Sequence, residues 1–164
     1  MQLEILTLVS QAEAETYYFG QVLGSLLKAG QLIALIGELG TGKTRWAQGI
    51  GQGLSVPADE TINSPTFTFI NHYSGRLPFY HADVYRLTSV EEAETLGLED
   101  YFSSDGVCLI EWADQIQSIL PEERLEISLE YIDETKRKIL MQAHGTSYQS
   151  LLATFKNQIT EEMP

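Results

Sequence analysis

Residues 37–44 read Gly37-Glu38-Leu39-Gly40-Thr41-Gly42-Lys43-Thr44, a glycine-rich turn that ends on a lysine and a hydroxyl. The chemistry this pattern suits is the cradling of a nucleotide's phosphates. Gly37, Gly40 and Gly42 let the backbone curl around an anion with successive N–H groups aimed inward, where a Cβ would obstruct the approach. A helix opening at the lysine adds its positive dipole end. Lys43 then reaches the β- and γ-phosphates as a point charge, and the Thr44 hydroxyl is placed to ligate a Mg²⁺ that bridges them. The apolar run Leu32-Ile33-Ala34-Leu35-Ile36 before the turn reads as a buried strand, so the strand, turn and helix that this motif requires are all present.

Two carboxylates are candidates to complete such a site. Glu111 follows the apolar run Val107-Cys108-Leu109-Ile110, the position of an acidic strand-end residue that holds the metal or its water. Asp83 follows Leu77-Pro78-Phe79-Tyr80-His81-Ala82 and is placed to orient an attacking water from a neighbouring strand end. Each, taken alone, would read as a surface carboxylate; the phosphate cradle raises both to site candidates. Thr66, in Ser64-Pro65-Thr66-Phe67, sits where a switch loop would meet a γ-phosphate, although an ordinary loop stiffened by Pro65 has the same sequence. Trp112 is open between a lid, a partner-facing aromatic and a half-buried core residue. His81 reads as structural, since one histidine beside a strand seldom does more.

The elements that must position these groups alternate along the chain. Leu3 to Val9 reads as a strand, and Ser10-Gln11-Ala12-Glu13 as a capping box opening a helix to about Lys28, stopped by Gly30. Beyond the cradle a helix runs from Lys43 to about Leu54, weakened by Gly49, Gly51 and Gly53 at up to about 1 kcal/mol each. Phe67 to Tyr73 and Leu77 to Asp83 flank Ser74-Gly75-Arg76 as a hairpin. Ser89-Val90-Glu91-Glu92 is a second capping box, with its helix ending near Gly97. Val107 to Ile110 is apolar on both faces, as a central strand must be. Leu125, Ile127, Leu129 and Tyr131 alternate with polar residues, as do Ile139, Met141 and Ala143, with Asp133-Glu134-Thr135 as the turn between. Ser147 to Phe155 reads as helix.

The expected fold is an α/β phosphate-loop domain of three layers, its central sheet mixing parallel and antiparallel strands. A parallel crossover over residues 3–36 is expected to put the cradle at the carboxyl end of the sheet. One domain over residues 1–164 is expected, with a core of about 3–145 and a helical tail of about 147–160.

Composition narrows the partners. The net charge of −13 repels phosphodiester backbones, which disfavours direct binding of nucleic acid. The acidic stretches around Glu91 to Glu94 and Glu99-Asp100 read as solvated helix face, with docking on a basic partner as the alternative. No apolar run approaches the roughly 20 residues of a membrane span, and the N-terminus lacks the pattern of a signal peptide. The lone Cys108 excludes an intramolecular disulfide. A cytoplasmic protein is the expectation.

Four segments together carry a resemblance: the cradle itself, Ser64-Pro65-Thr66-Phe67, His81-Ala82-Asp83-Val84-Tyr85-Arg86 and Leu109-Ile110-Glu111-Trp112. In order and spacing they resemble the TsaE (YjeE) family of small bacterial ATPases needed for tRNA threonylcarbamoyladenosine synthesis. The likeness extends to about residue 145. It implies an ATPase that uses ATP and Mg²⁺ and supports TsaD and TsaB, which place the threonylcarbamoyl group on adenosine 37 of tRNAs reading codons that begin with adenine. The tRNA would be met only through those partners. Residue by residue, the resemblance makes Lys43 the phosphate lysine, sets Thr44 and Glu111 on the metal side and makes Asp83 a catalytic carboxylate. It puts Thr66 in a switch-like motif. Base contacts in such proteins lie near the start of the first helix and the last hairpin, which points to Ala12 and Lys136. Glu38 stands where relatives usually carry Asp, and Ala113 where many carry Pro.

Other classes share the cradle. A small-molecule phosphoryl-transfer kinase normally needs an arginine-rich lid, and this chain has five widely spread arginines. A regulatory GTPase needs an NKxD-type guanine reader, which is missing, so ATP is the expected nucleotide. A nucleotide-binding module with little hydrolysis remains the nearest alternative.

Overall fold

The computed structural model describes residues 4–38, 40–65 and 68–162. Leu39, Thr66, Phe67 and the Leu3 start of the first expected strand lie outside them. Strands run over Glu4–Ser10 (β1), Leu32–Gly37 (β2), Ile70–Ser74 (β3), Pro78–Asp83 (β4), Val107–Glu111 (β5), Arg124–Tyr131 (β6) and Arg137–His144 (β7). Helices run over Glu13–Leu26 (α1), Lys43–Gly53 (α2), Val90–Thr95 (α3) and Thr146–Glu162 (α4), with short 3₁₀ turns at Leu98–Tyr101 and Ala113–Ile119. The strands form one sheet in the order β1-β7-β6-β2-β5-β4-β3.

The centre of that sheet is parallel and its margins antiparallel, so the expected mixed α/β architecture is present. β2 pairs in parallel with β5 and β6, and β5 in parallel with β4; β1 with β7, β7 with β6 and β3 with β4 are antiparallel. Sequence patterning is visible in how the faces are used. β2 and β5 are buried on both sides: Ile33, Leu35, Val107 and Leu109 face a core beneath α1, α2 and α4, while Leu32, Ala34, Cys108 and Ile110 face a second core beneath α3 and the 3₁₀ turns. β6 and β7 alternate instead, giving Leu125, Ile127, Leu129, Ile139, Met141 and Ala143 to the first core alone. In α4, Tyr148, Leu151, Leu152, Phe155 and Ile159 recur at helical spacing and are all buried. Among the described residues no helix is long and apolar enough to cross a membrane.

Two expectations need correction. β1, α1 and β2 do form a strand-helix-strand run whose strands point the same way, but β7 and β6 lie between those strands. The β6–β7 hairpin buries its alternating apolar residues there, a long-range preference that a local reading of residues 3–36 cannot contain. The capping box at Ser10 is also not formed. Ser10 ends β1 fully buried, its hydroxyl donating to the Ala12 carbonyl at 2.8 Å and accepting from Thr16 at 2.7 Å, so α1 starts at Glu13 with Ala12 as its N-cap and no side-chain cap. The second box does form in part: Ser89 accepts from the Glu92 N–H at 3.2 Å, but Glu92 reaches back to Thr88 rather than Ser89.

The glycines of α2 are better explained by packing than by weakness. A Cβ on Gly49 would overlap the Tyr17 carbonyl oxygen and sit 2.9 Å from the Gly20 Cα. On the α1 side, a Cβ on Gly24 would overlap the Ile50 carbonyl. Backbone therefore lies on backbone between α1 and α2, which seats the helix that starts at Lys43. If helix propensity decided, Gly49→Ala would stabilise by up to about 1 kcal/mol. Overpacking predicts the opposite sign, a loss of about 1–3 kcal/mol in urea unfolding, and a stabilised variant would contradict the close approach.

Candidate functional site

β2 ends at Gly37 and the chain turns back into α2 through backbone that suits glycine, with φ of 79° at Gly40 and 102° at Gly42. Gly42 is the N-cap of α2 and supplies no side-chain hydrogen bond, so the first-turn N–H groups keep their capacity for an anion. The turn is internally braced: the Thr41 hydroxyl donates to the Glu38 carbonyl at 2.7 Å. Lys43 folds back over the same segment, its Nζ donating to the carbonyls of Gly37 at 2.5 Å and Glu38 at 2.8 Å. The ammonium also lies 4.1 Å from the centre of the Trp112 ring. Burial pushes the Lys43 pKa down, opposed by the charges of Glu111, Asp83, Glu38 and Asp114.

The two acids arrive by strand register. β4 and β5 are parallel neighbours that pair Asp83 with Glu111, so both carboxylates leave the sheet at the end where β2 gives way to the glycine turn. Glu111 is almost fully buried, and its Oε2 accepts from the Ser64 hydroxyl at 2.8 Å and from His81 Nε2 at 2.5 Å. Ser64 in turn lies 3.2 Å from the Thr44 hydroxyl. Asp83 is half-buried and accepts the Tyr85 N–H at 2.9 Å. Burial raises its pKa, and Glu111 adds to that, while the Tyr85 bond and the charges of His81 and Lys43 oppose it.

Trp112 is built in by force. Its φ of 62° is left-handed, a conformation a bulky residue adopts only when its surroundings impose it. The ring packs on Tyr85 with centroids 4.7 Å apart and reaches the Lys43 ammonium. The three alternatives left open for this residue resolve to a half-buried wall of the site.

Lys43, Thr44, Ser64, Asp83, Glu111 and Trp112 line one cavity of about 530 Å³. Gly40 and Gly42 line it too, as do Glu13 and Thr16 from α1 and Thr135 and Arg137 from the last hairpin. Ala12 and Lys136 are exposed and flank these lining residues rather than lining the cavity. Leu39 and Thr66 fall outside the described residues. Arg137 ties the hairpin to the glycine turn, donating to the Gly40 carbonyl at 3.0 Å with its guanidinium 4.8 Å from the Tyr131 ring centre.

Sequence reasoning missed several of these groups. His81 is no bystander but the partner of Glu111; the signal was its spacing of two from Asp83, which puts both on one face of β4. Ser64 was quoted only as part of a segment, and Arg137 not at all, because its contact with Gly40 spans 97 positions. The donor set fits a magnesium nucleotide: a hydroxyl and hard carboxylate oxygens beside glycines and an uncapped helix start. Among the described residues no group of three or more His, Cys, Asp or Glu could hold a metal unaided. A magnesium ion here would depend on phosphate oxygens and water for most of its shell.

Residues 10–139 match the family model of TsaE, the threonylcarbamoyl adenosine biosynthesis protein. The tRNA threonylcarbamoyladenosine biosynthesis protein TsaE of Bacillus subtilis (strain 168) is 42% identical over 138 residues, 84% of this chain and 85% of that one. Its namesake from Nostoc sp. is 39% identical over 160 residues, 94% of this chain and 96% of the relative. The crystal structure of Bacillus subtilis YdiB superposes with a TM-score of 0.79 at 34% identity, covering 96% of this chain and 98% of that one. With the family model matching most of the chain and relatives near 40% identity along nearly all of it, the chain belongs to the TsaE family.

Proposed function

We propose that this protein is a Mg²⁺-dependent ATPase of tRNA threonylcarbamoyladenosine biosynthesis. It acts in the cytoplasm with TsaD and TsaB in forming the modification at adenosine 37 of tRNAs that read codons beginning with adenine. The observation that carries the hydrolytic reading is the shared strand end, where Lys43, Asp83 and Glu111 converge on one cavity. The glycine turn and the start of α2 hold phosphate oxygens through backbone N–H groups, and Lys43 exchanges the Gly37 and Glu38 carbonyls for the β- and γ-phosphates. Thr44 and Glu111 would hold a magnesium ion, which would supply charge neutralisation of the phosphates. Asp83, whose carboxylate is not tied to Glu111 or Lys43 by a hydrogen bond, orients the attacking water and takes its proton at Oδ. Thr66, outside the described residues, is assigned the switch contact from its place in Ser64-Pro65-Thr66-Phe67. Nucleobase contacts are assigned to the Ala12 start of α1 and the Lys136 turn, because their neighbours Glu13, Thr135 and Arg137 line the cavity.

The alternative of a module with little hydrolysis draws on the same lysine. Bonded to its own loop, Lys43 must break two hydrogen bonds before it serves a phosphate, which favours slow turnover by the chain alone. Partner dependence and slow basal hydrolysis are then two sides of one arrangement.

Lys43→Ala should lower partner-stimulated ATP hydrolysis by about 3 kcal/mol or more in kcat/KM, at least about a hundredfold, the scale of removing one preorganised charge-stabilising group. Hydrolysis at the wild-type rate in that variant would refute the assignment.

Asp83 predicts a pH signature. Its raised pKa means the carboxylate is lost, as pH falls, at a higher pH than for an ordinary aspartate, so kcat/KM should drop on an acid limb displaced upward in the same direction. Asp83→Asn should bind ATP within about threefold of wild type, hydrolyse it about a hundredfold or more slowly and lose that limb. Weakened ATP binding with unchanged turnover of bound nucleotide would make Asp83 structural instead.

A further inference from the structure

The hydroxyl of a phosphate loop and a strand-end carboxylate can meet without help, but in this protein a third residue stands between them. Thr44 Oγ1 lies 3.2 Å from Ser64 Oγ, and Ser64 Oγ donates to Glu111 Oε2 at 2.8 Å. The direction of the chain follows from counting protons. An ionised carboxylate only accepts, so the single Ser64 proton is committed to Glu111. Ser64 Oγ is left as an acceptor, and the proton between the two hydroxyls belongs to Thr44. The order is therefore Thr44 O–H to Ser64 O–H to Glu111, which leaves the oxygen lone pairs of Thr44 uncommitted.

His81 holds the other flank of the same oxygen. Its Nε2 is 2.5 Å from Glu111 Oε2, while its Nδ1 is buried without a partner among the described residues. A proton on Nδ1 would have no acceptor, so the ring donates from Nε2. The ring lies parallel to Phe79, with centroids 6.1 Å apart and 2° between planes, in fully buried surroundings. Both donors land on Oε2, and Oε1 takes part in neither bond.

We infer that Ser64 is a positioning residue that couples the Thr44 hydroxyl to Glu111 and sets the two jointly for Mg²⁺, with His81 fixing the carboxylate from the opposite side. This rests on the magnesium-nucleotide reading of the cavity. Ser64 belongs to neither the glycine turn nor β5 but to the segment between α2 and β3, immediately before Pro65, whose ring restricts the backbone. Engagement of a metal by Thr44 and Glu111 is thereby tied to the segment that leads into Thr66.

The test is a magnesium titration of nucleotide binding, read by calorimetry on the full chain with a non-hydrolysable ATP analogue. Ser64→Ala should raise the Mg²⁺ midpoint about tenfold, the low end for loss of a group that orients metal ligands, and leave magnesium-free nucleotide affinity within about twofold. Ser64→Thr, which keeps the hydroxyl, should restore the midpoint to within about threefold. An unchanged midpoint in Ser64→Ala overturns the coupling, as does an equal loss of affinity with and without magnesium, which would mark general damage to the loop. Absence of nucleotide binding by the wild-type chain overturns the underlying reading itself, an outcome distinct from both. Heteronuclear NMR of the imidazole nitrogens provides an independent check that needs no variant: a proton on Nε2 of His81 is expected, and an Nε2 that carries none overturns the clamp.

Discussion

Everything at the site depends on β2, β4 and β5 running side by side in parallel and ending at one level. Parallel pairing sets Leu35 beside Glu111 and Glu111 beside Asp83, so a glycine turn, a buried carboxylate and a half-buried one emerge together without any loop having to bring them. That register is held by side chains buried on both faces of β2 and β5. A one-residue slip would turn each acid to the opposite face, which makes the cores on either side the guarantors of the chemistry. The antiparallel margins contribute less to the site, with one exception, the Arg137 bond that ties the last hairpin to Gly40.

Charge inside this framework is balanced locally. Lys43 is buried with four acids and the face of Trp112 near it, and its hydrogen bonds go to peptide carbonyls of its own loop. A buried ammonium without such partners would be costly. The carbonyls of Gly37 and Glu38 thus satisfy the lysine from within the turn that leads into its helix. The left-handed Trp112 belongs to the same balance, since its strained backbone is what brings an aromatic face over the ammonium.

Much of this was legible in the residues. The cradle, the buried strand before it, the acid at the end of Val107 to Ile110 and the alternating β6 and β7 all follow local rules of spacing, and the structure contains each of them. What local rules could not supply was insertion of the β6–β7 hairpin between β1 and β2, because the apolar faces that drive it are met only across a hundred positions of chain. The glycines of α2 were read as weak helix formers, whereas Gly49 and Gly53 lie against the backbone of α1 and Gly51 against Ile62, contacts invisible until the elements are laid together. Ser10 shows the limit of a capping pattern: its hydroxyl found a buried partner in Thr16, and the helix began later without it. His81 and Ser64 were under-read for a common reason, that their importance lies in a bond to Glu111 rather than in any motif chemistry of their own.

The central claim is that nucleotide turnover in this cavity serves repeated cycles of a tRNA-modifying partner complex. Its most direct test counts rounds of threonylcarbamoyladenosine formation by TsaD and TsaB, with and without this protein and ATP, on a tRNA that reads codons beginning with adenine. The account predicts that the partners alone stall near one round, that this chain with Mg-ATP restores multiple rounds, and that ATP hydrolysis rises when all components are present. Multiple rounds without this protein, or full support from its Lys43→Ala variant, would contradict it.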